Sequence, residues 1–297
     1  MNTAAGLPLP KLSRGRFAHG LGNLVGQDYI DAWTDEALFN ACGVRIVFSE
    51  RNGGLSEPPY SSLNLKVPGY SDTSQEALCP DPHIAMNRRI LASAFGAQDL
   101  PLISPHQVHE DTILFLNDAS EESLMQARQD AEAGADAVLF SCSDVAALIC
   151  VADCVPLVFV APNASFVAIH CGWRGVALHL ARKAFLQLMQ QSNCEAGDIN
   201  IYIGAYIHHE CFEVSAETAQ RFEEEFDASV LRRADGHSGI HVDLGAALRM
   251  DLLAAGALDA RIADMDICTV CSTEHFFSYR AEDKLTGRQG ALVFRRS

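Results

Sequence analysis

ADAVLFSCSDVAALICVADCVPLVFVAPNASFVAIHCGWRG, residues 135–175, holds four short apolar runs, at 135–140, 146–151, 157–160 and 166–169. Polar or turn residues separate them. Runs this short, apolar throughout rather than alternating, read as strands buried on both faces. Downstream, 175–190 has helical periodicity and 199–203 is strand-like. Helices are expected at 215–226 and 243–255, the second with Asp243 as N-cap, and a last strand at 291–294. Upstream, 44–48 is a β-branched strand that runs into the turn SERNGG (49–54) and the loop PPYSSLNL (58–65). Residues 84–95 read as a helix stopped by Gly96, and 112–116 as a strand. The acidic stretch 118–132 reads as a solvated loop or surface helix. Residues 1–34, with Pro8 and Pro10, read as an irregular extension. No repeat and no convincing linker divides the rest. The expected architecture is one α/β domain over 35–297 with a large mixed sheet.

Composition narrows the function classes. With 48% hydrophobic residues in 297, a sizeable core can form. The formal net charge of −16 argues against general affinity for nucleic acid or anionic membrane, which needs a basic face. The most apolar window, 145–161, is broken by Asp153 and Pro156 and is too short for a comfortable span. The N-terminus lacks the apolar core of a signal peptide. The ten cysteines are scattered through apolar segments, as at Cys42, Cys150 and Cys194. That is how a reducing compartment uses cysteine, so a cytoplasmic location is expected.

Three segments concentrate polar residues at strand ends: HQVHED (106–111), VADCVP (151–156) and AIHCGWRG (168–175). Strand ends beside glycine turns are where α/β proteins place their sites. Two histidines and a cysteine with an open fourth position is the pattern of a catalytic zinc site. By themselves, a lone Cys in an apolar strand ordinarily packs, and a lone His beside one ordinarily hydrogen-bonds. Asp153 beside Cys154 tips the balance, because a carboxylate inside an apolar run is costly unless paired or used.

These segments, together with SERNGG, SSLNL, GADAVLF, ADCVPLVF, IGAYI with CFEV, CTVC, FFSYR and TGRQGAL, follow one another over about residues 44–297. The sequence so resembles the laccase-domain family, also called the multicopper polyphenol oxidoreductase family. Its members include peptidoglycan editing factors and purine nucleoside phosphorylases. The resemblance implies a mixed-sheet layered α/β sandwich, related to a toxin deamidase fold that uses a Cys–His pair. It implies zinc on His109, Cys154 and His170. It also implies phosphorolysis of adenosine, inosine and methylthioadenosine, and deamination of adenosine, for which water activated at the metal would attack purine C6. The partners would be a small nucleoside and phosphate. Asp153 is the nearest carboxylate for moving protons. Arg51, Arg174 and Arg288, each in a glycine-containing turn, are candidates for an anion pocket, since guanidinium binds phosphate in a bidentate fashion. Asn64 of SSLNL is a further substrate-binding candidate.

The family's glycine- and proline-rich stretch is replaced here by IGAYIHHECFEV, where Tyr206, His208, His209 and Glu210 stand for small residues. This alters one expected pocket wall and offers His208 and His209 as extra ligands. His106 precedes a ligand position by three residues. Cys268 and Cys271 form a C-x-x-C with no second pair at suitable spacing, so packing near the site is their expected role. Three rival readings remain. An amide hydrolase editing peptidoglycan precursors would use Cys154 and His170 as nucleophile and base, or as ligands to a water-activating metal. A copper polyphenol oxidase needs H-x-H pairs, and the eleven histidines here form none, so copper is the lesser cofactor. The last is a non-catalytic metal-binding protein.

Overall fold

The computed structural model describes residues 6–21, 28–67, 80–233 and 239–297. Two six-stranded mixed sheets face each other. The first runs Ser13–Ala18, Tyr29–Thr34, Val44–Ser49, Gln289–Arg295, Val145–Val151, Leu102–Ile103, and only its last pair is parallel. The second runs Ile262–Asp264, Asn200–Ile203, Val155–Val160, Phe166–Cys171, Ala137–Phe140, Ile113–Leu116, antiparallel at its centre and parallel at both edges. A three-stranded sheet, Glu213–Val214, Ile240–Val242, Leu231–Arg233, stands apart.

The pleat divides each buried strand between two cores. Val158 and Val160 point toward the first sheet, where they meet Phe48, Ile149 and Val293. Leu157 and Phe159 point the other way, onto Phe185 and Leu188 of helix Leu180–Ser192 and Leu248 and Leu252 of helix Leu244–Ala254. The outer face of the first sheet, through Val47, Leu148 and Leu292, is covered by Ile90 and Leu91 of helix Ile84–Ala94. The result is a layered α/β sandwich, helix–sheet–sheet–helix, as expected. No run alternates because both faces of the central strands are covered. Each large apolar side chain so buried stabilises by about 1.5–3 kcal/mol, against roughly 0–1 for a typical surface ion pair. The interior therefore holds the sandwich.

Several expectations are refined. Asp243 caps its helix, its Oδ1 accepting from Ala246 N–H at 2.8 Å, and Ser215 caps Ala216–Glu225. The acidic stretch is a surface helix, Glu121–Ala133, burying little beyond Ala131. The helix expected at 175–190 is broken at His179, whose φ of 57° splits it into Trp173–Ala177 and Leu180–Ser192. The irregular extension is a correction. Ser13–Ala18 and Tyr29–Thr34 are strands that extend the first sheet, because Ile30, Ala32 and Thr34 are buried at period two. Residues 1–5 and 22–27 of that stretch lie outside the described residues. Among the described residues no helix is long and apolar enough to cross a membrane.

Candidate metal centre

Ala152, Asp153 and Cys154 carry the chain from the first sheet, where Val145–Val151 ends, into the second, where Val155–Val160 begins. Asp153 takes a left-handed φ of 82° to make that turn. In the second sheet Val155 pairs with Cys171 and Pro156 with His170. Continued by one residue, this register sets Cys154 opposite Gly172. A Cβ at Gly172 would lie 3.1 Å from the Cys154 sulfur and 3.0 Å from the His109 ring, so glycine is what lets His109 approach Cys154. His109 comes from the HQVH loop at a left-handed φ of 62°.

The ligand atoms of His109, Cys154 and His170 all lie within 4.8 Å of one another. His109 Nε2 is 4.0 Å from Cys154 Sγ, and the two imidazoles meet edge to face at 4.8 Å. Nitrogen and sulfur ligands of one tetrahedral zinc stand about 3.5 Å apart, so a slight contraction would close this set on an ion. The set is preorganised by Asp136, a fully buried carboxylate. Its Oδ1 accepts from His170 Nδ1 at 2.7 Å and His109 N–H at 3.0 Å, and its Oδ2 from Glu110 N–H at 2.8 Å and Val108 N–H at 3.3 Å. This one side chain orients the His170 ring, turning its other edge toward Cys154, and shapes the loop that bears His109. Burial opposes its charge, but His170 and the loop amides outweigh it and hold the carboxyl below the usual carboxylate range. Gln107 braces the same loop, bonding both the carbonyl and the amide of Cys150 at 2.7 and 3.0 Å. Asp136 and Gln107 were not among the residues singled out from sequence. The signal for Asp136 was a carboxylate inside GADAVLF, the same signal that drew attention to Asp153.

Without an ion, burial disfavours the Cys154 thiolate, but facing His170 and His109 overcome this and bring the thiol down to about 6. Burial likewise opposes His170 protonation, and Cys154 with Asp136 overcomes it, up to about 9. A thiolate paired with an imidazolium is a nucleophile when bare and is shielded when it ligates a metal. Metal-loaded protein should therefore alkylate slowly at Cys154. Chelated protein should react fast at neutral pH, its rate climbing through about pH 6. Equal rates with and without metal, followed by peptide mass analysis after iodoacetamide, would contradict a ligand role.

The three residues line a cavity of about 600 Å³, within the size range of small-molecule sites. Trp173, Phe212 and Tyr279 supply aromatic wall, and Lys66, Arg174, Arg280, Lys284 and Arg288 supply cations, with Asp153 the one carboxylate lining it among the described residues. Arg174 packs over Trp173 at 4.5 Å. Arg288 is largely buried, which lowers its pKa, and donates to the Thr286 and Gly287 carbonyls. Asp153 accepts from Thr269 Oγ1 at 2.6 Å and from Arg280 N–H at 2.7 Å, tying two wall loops together. Arg280 was missed in sequence although it closes the FFSYR motif.

Two candidates do not reach the cavity. Arg51 spends its guanidinium on the Ser61 and Thr273 carbonyls at 3.1 and 2.7 Å and on Glu282 at 3.0 Å, over the Phe277 ring. It knits SERNGG to the C-terminal loops. Asn64 is fully buried. It donates to Asp81 and accepts from the Arg288 N–H at 2.8 Å, so it positions Arg288 instead of contacting a ligand. His106 lines the cavity outside the ligand group. His208 and His209 lie outside it too. Tyr206 does not reshape the wall. It turns into the helix-side core, where any Cβ at Gly245 would collide with its hydroxyl, and leaves Ile207 to face the cavity.

The sequence model of the family described as multi-copper polyphenol oxidoreductase laccase matches residues 45–296. A purine nucleoside phosphorylase of Bacteroides thetaiotaomicron is 29% identical over 256 residues, 85% of this chain and 92% of its own. A protein named adenosine deaminase RL5, from an unknown prokaryotic organism, is 30% identical over 247 residues, 80% of this chain and 93% of its own. The crystal structure of YlmD from Geobacillus stearothermophilus is similar at a TM-score of 0.74 and 28% identity, covering 86% of this chain and 93% of that one. With two facing mixed sheets, the ordered motifs and a match over nearly the whole chain, the protein belongs to the multi-copper polyphenol oxidoreductase laccase family.

Proposed function

We propose that the chain is a zinc-dependent purine nucleoside phosphorylase, acting on adenosine, inosine and methylthioadenosine, that also deaminates adenosine. The charge of the cavity carries this reading. In a chain of net charge −16, five cationic side chains and one carboxylate among the described residues surround a His–Cys–His set. The overall field repels phosphate, so a pocket of this sign is a local arrangement against the global trend. The names of the relatives agree with it.

Two imidazoles and a thiolate form a borderline-soft donor set that suits zinc. Zinc held there would polarise an oxygen or nitrogen of the substrate. Arg174, over the Trp173 ring in the cavity wall, would hold the phosphate anion, while Arg280 donates to the Cys211 and Glu213 carbonyls and Trp173, Phe212 and Tyr279 offer flat surface to a purine. Asp153, fixed in the wall by Thr269 Oγ1 and the Arg280 amide with one donor on each oxygen, keeps acceptor capacity and is the carboxylate that would move protons. The free thiols of the described cysteines fit a cytoplasmic setting.

Inosine cleavage by the pure protein should require phosphate and release ribose-1-phosphate. Arg174→Gln should raise the phosphate KM about ten- to a hundredfold, the worth of one charge-assisted contact of roughly 1.5–3 kcal/mol. Adenosine deamination, which uses water, should suffer less. Arg51→Gln should lower thermal stability and reduce both rates alike. Base release without phosphate by the unaltered protein would remove the phosphorylase reading.

A further inference from the structure

A second group of donors lies outside the centre described above. Cys211 ends the turn at 209–211, and Cys268 and Cys271 bound the turn of CTVC. Cys211 Sγ is 3.5 Å from Cys271 Sγ, and the three sulfurs all lie within 4.8 Å of one another. Two thiolates bound to one tetrahedral zinc stand about 3.8 Å apart. The backbone sets up this convergence. Tyr206 and Cys268 form a parallel bridge, with Tyr206 N–H donating to Ile267 at 3.2 Å and Thr269 N–H to Tyr206 at 3.0 Å. His208 N–H then points at Cys268 Sγ from 3.4 Å, the kind of outer contact that supports a thiolate ligand.

Packing does not explain the group. Cys268 is buried and Cys211 packs against the helix-side core, but Cys271 is exposed and still converges on them, so the group opens toward solvent on one side and core packing does not account for the third sulfur. A Cys211–Cys271 disulfide would use two sulfurs and leave the backbone-supported third without a role. All three are free thiols.

We propose that Cys211, Cys268 and Cys271 form a second metal site, three thiolates for a thiophilic cation such as zinc, with its fourth position open to solvent. Binding would displace the thiol protons to water, and no oxidation is involved. The ion would pin the 209–211 turn to the 268–271 turn. Arg280 of the catalytic cavity donates to the Cys211 carbonyl at 3.0 Å, and Phe212 follows Cys211 into the cavity wall. The site is thus a clamp on that wall, whatever reaction the cavity carries out.

The test is metal stoichiometry on full-length protein, reduced and chelated under argon and then titrated with Co2+ alone. The unaltered chain should bind two equivalents. Cys154→Ala should bind one, with a sulfur-to-cobalt charge-transfer band. Cys211→Ser and Cys271→Ser should each lose the second equivalent and keep the first, and the retained first equivalent certifies that they are folded. One equivalent in the reduced unaltered chain would overturn the proposal. So would Ser variants that still bind two, or a Cys211–Cys271 disulfide whose reduction yields no added binding.

Discussion

Cys154→Ala, purified without added metal, should lack the ion bound at His109 and His170 and should neither phosphorolyse inosine nor deaminate adenosine. Complete structural zinc sites are worth about 10–16 kcal/mol, so one ligand's share is roughly 3–4 kcal/mol, a loss of a few hundredfold or more in affinity. Alanine leaves two imidazoles that must hold the ion alone. His170→Ala should do the same and in addition strands Asp136, which loses its 2.7 Å partner. Cys154→Ala should still fold, since the layers are held elsewhere, whereas His170→Ala leaves the buried Asp136 carboxylate unpaired and should also lose stability. Elemental analysis, counted against the metal retained by the Cys211 group, gives the result. If Cys154→Ala loses activity and keeps its full metal content, the thiol is a nucleophile, and the amide-hydrolase reading replaces the one proposed here.

Asp136→Asn should weaken metal binding by about 10–100-fold, the usual effect of removing an outer partner of a ligating histidine. It should also lower the stability of the metal-free protein by about 3–5 kcal/mol, as when one member of a buried ion pair is removed. Asparagine matches aspartate in size, so the cause is chemical. The two carboxylate oxygens receive four N–H donors, whereas an amide offers one acceptor and turns an NH2 group toward donors. Because the native carboxyl is held below its ordinary range, the parent's advantage should be complete at neutral pH. It should fade only as acid protonates that carboxyl. Metal titration and thermal melts of both proteins across pH provide the check. Unchanged affinity and stability would mean the HQVH loop is shaped by Gln107 and its neighbours alone.

The strands at 137–140, 145–151, 155–160 and 166–171 were legible because burial on both faces leaves unbroken apolar runs. Their partners were not, since Val145–Val151 and Val155–Val160 look alike and belong to opposite sheets. Ser13–Ala18 escaped notice because an edge strand carrying Arg14 and Arg16 has no apolar period to read. His109 and His170 were visible through motifs; their convergence depends on a sheet register that spacing does not encode. Arg51 misled because a guanidinium that binds carbonyls is identical in sequence to one that binds phosphate. Cys211 was invisible as the third thiol because it lies sixty residues from Cys271.

The three-residue crossover at Ala152–Cys154 has a mechanical meaning. If one sheet slid across the other, Asp153 would have to leave its left-handed turn, dragging Cys154 away from His109 and His170 and Arg280 off the wall in the same movement. Close-packed interiors transmit such displacements instead of absorbing them. A methylene added or removed at Ile149 or Val158, deep between the layers, is therefore a change to the tuning of the reaction centre, and the sandwich serves as the tensioned frame on which that centre is strung.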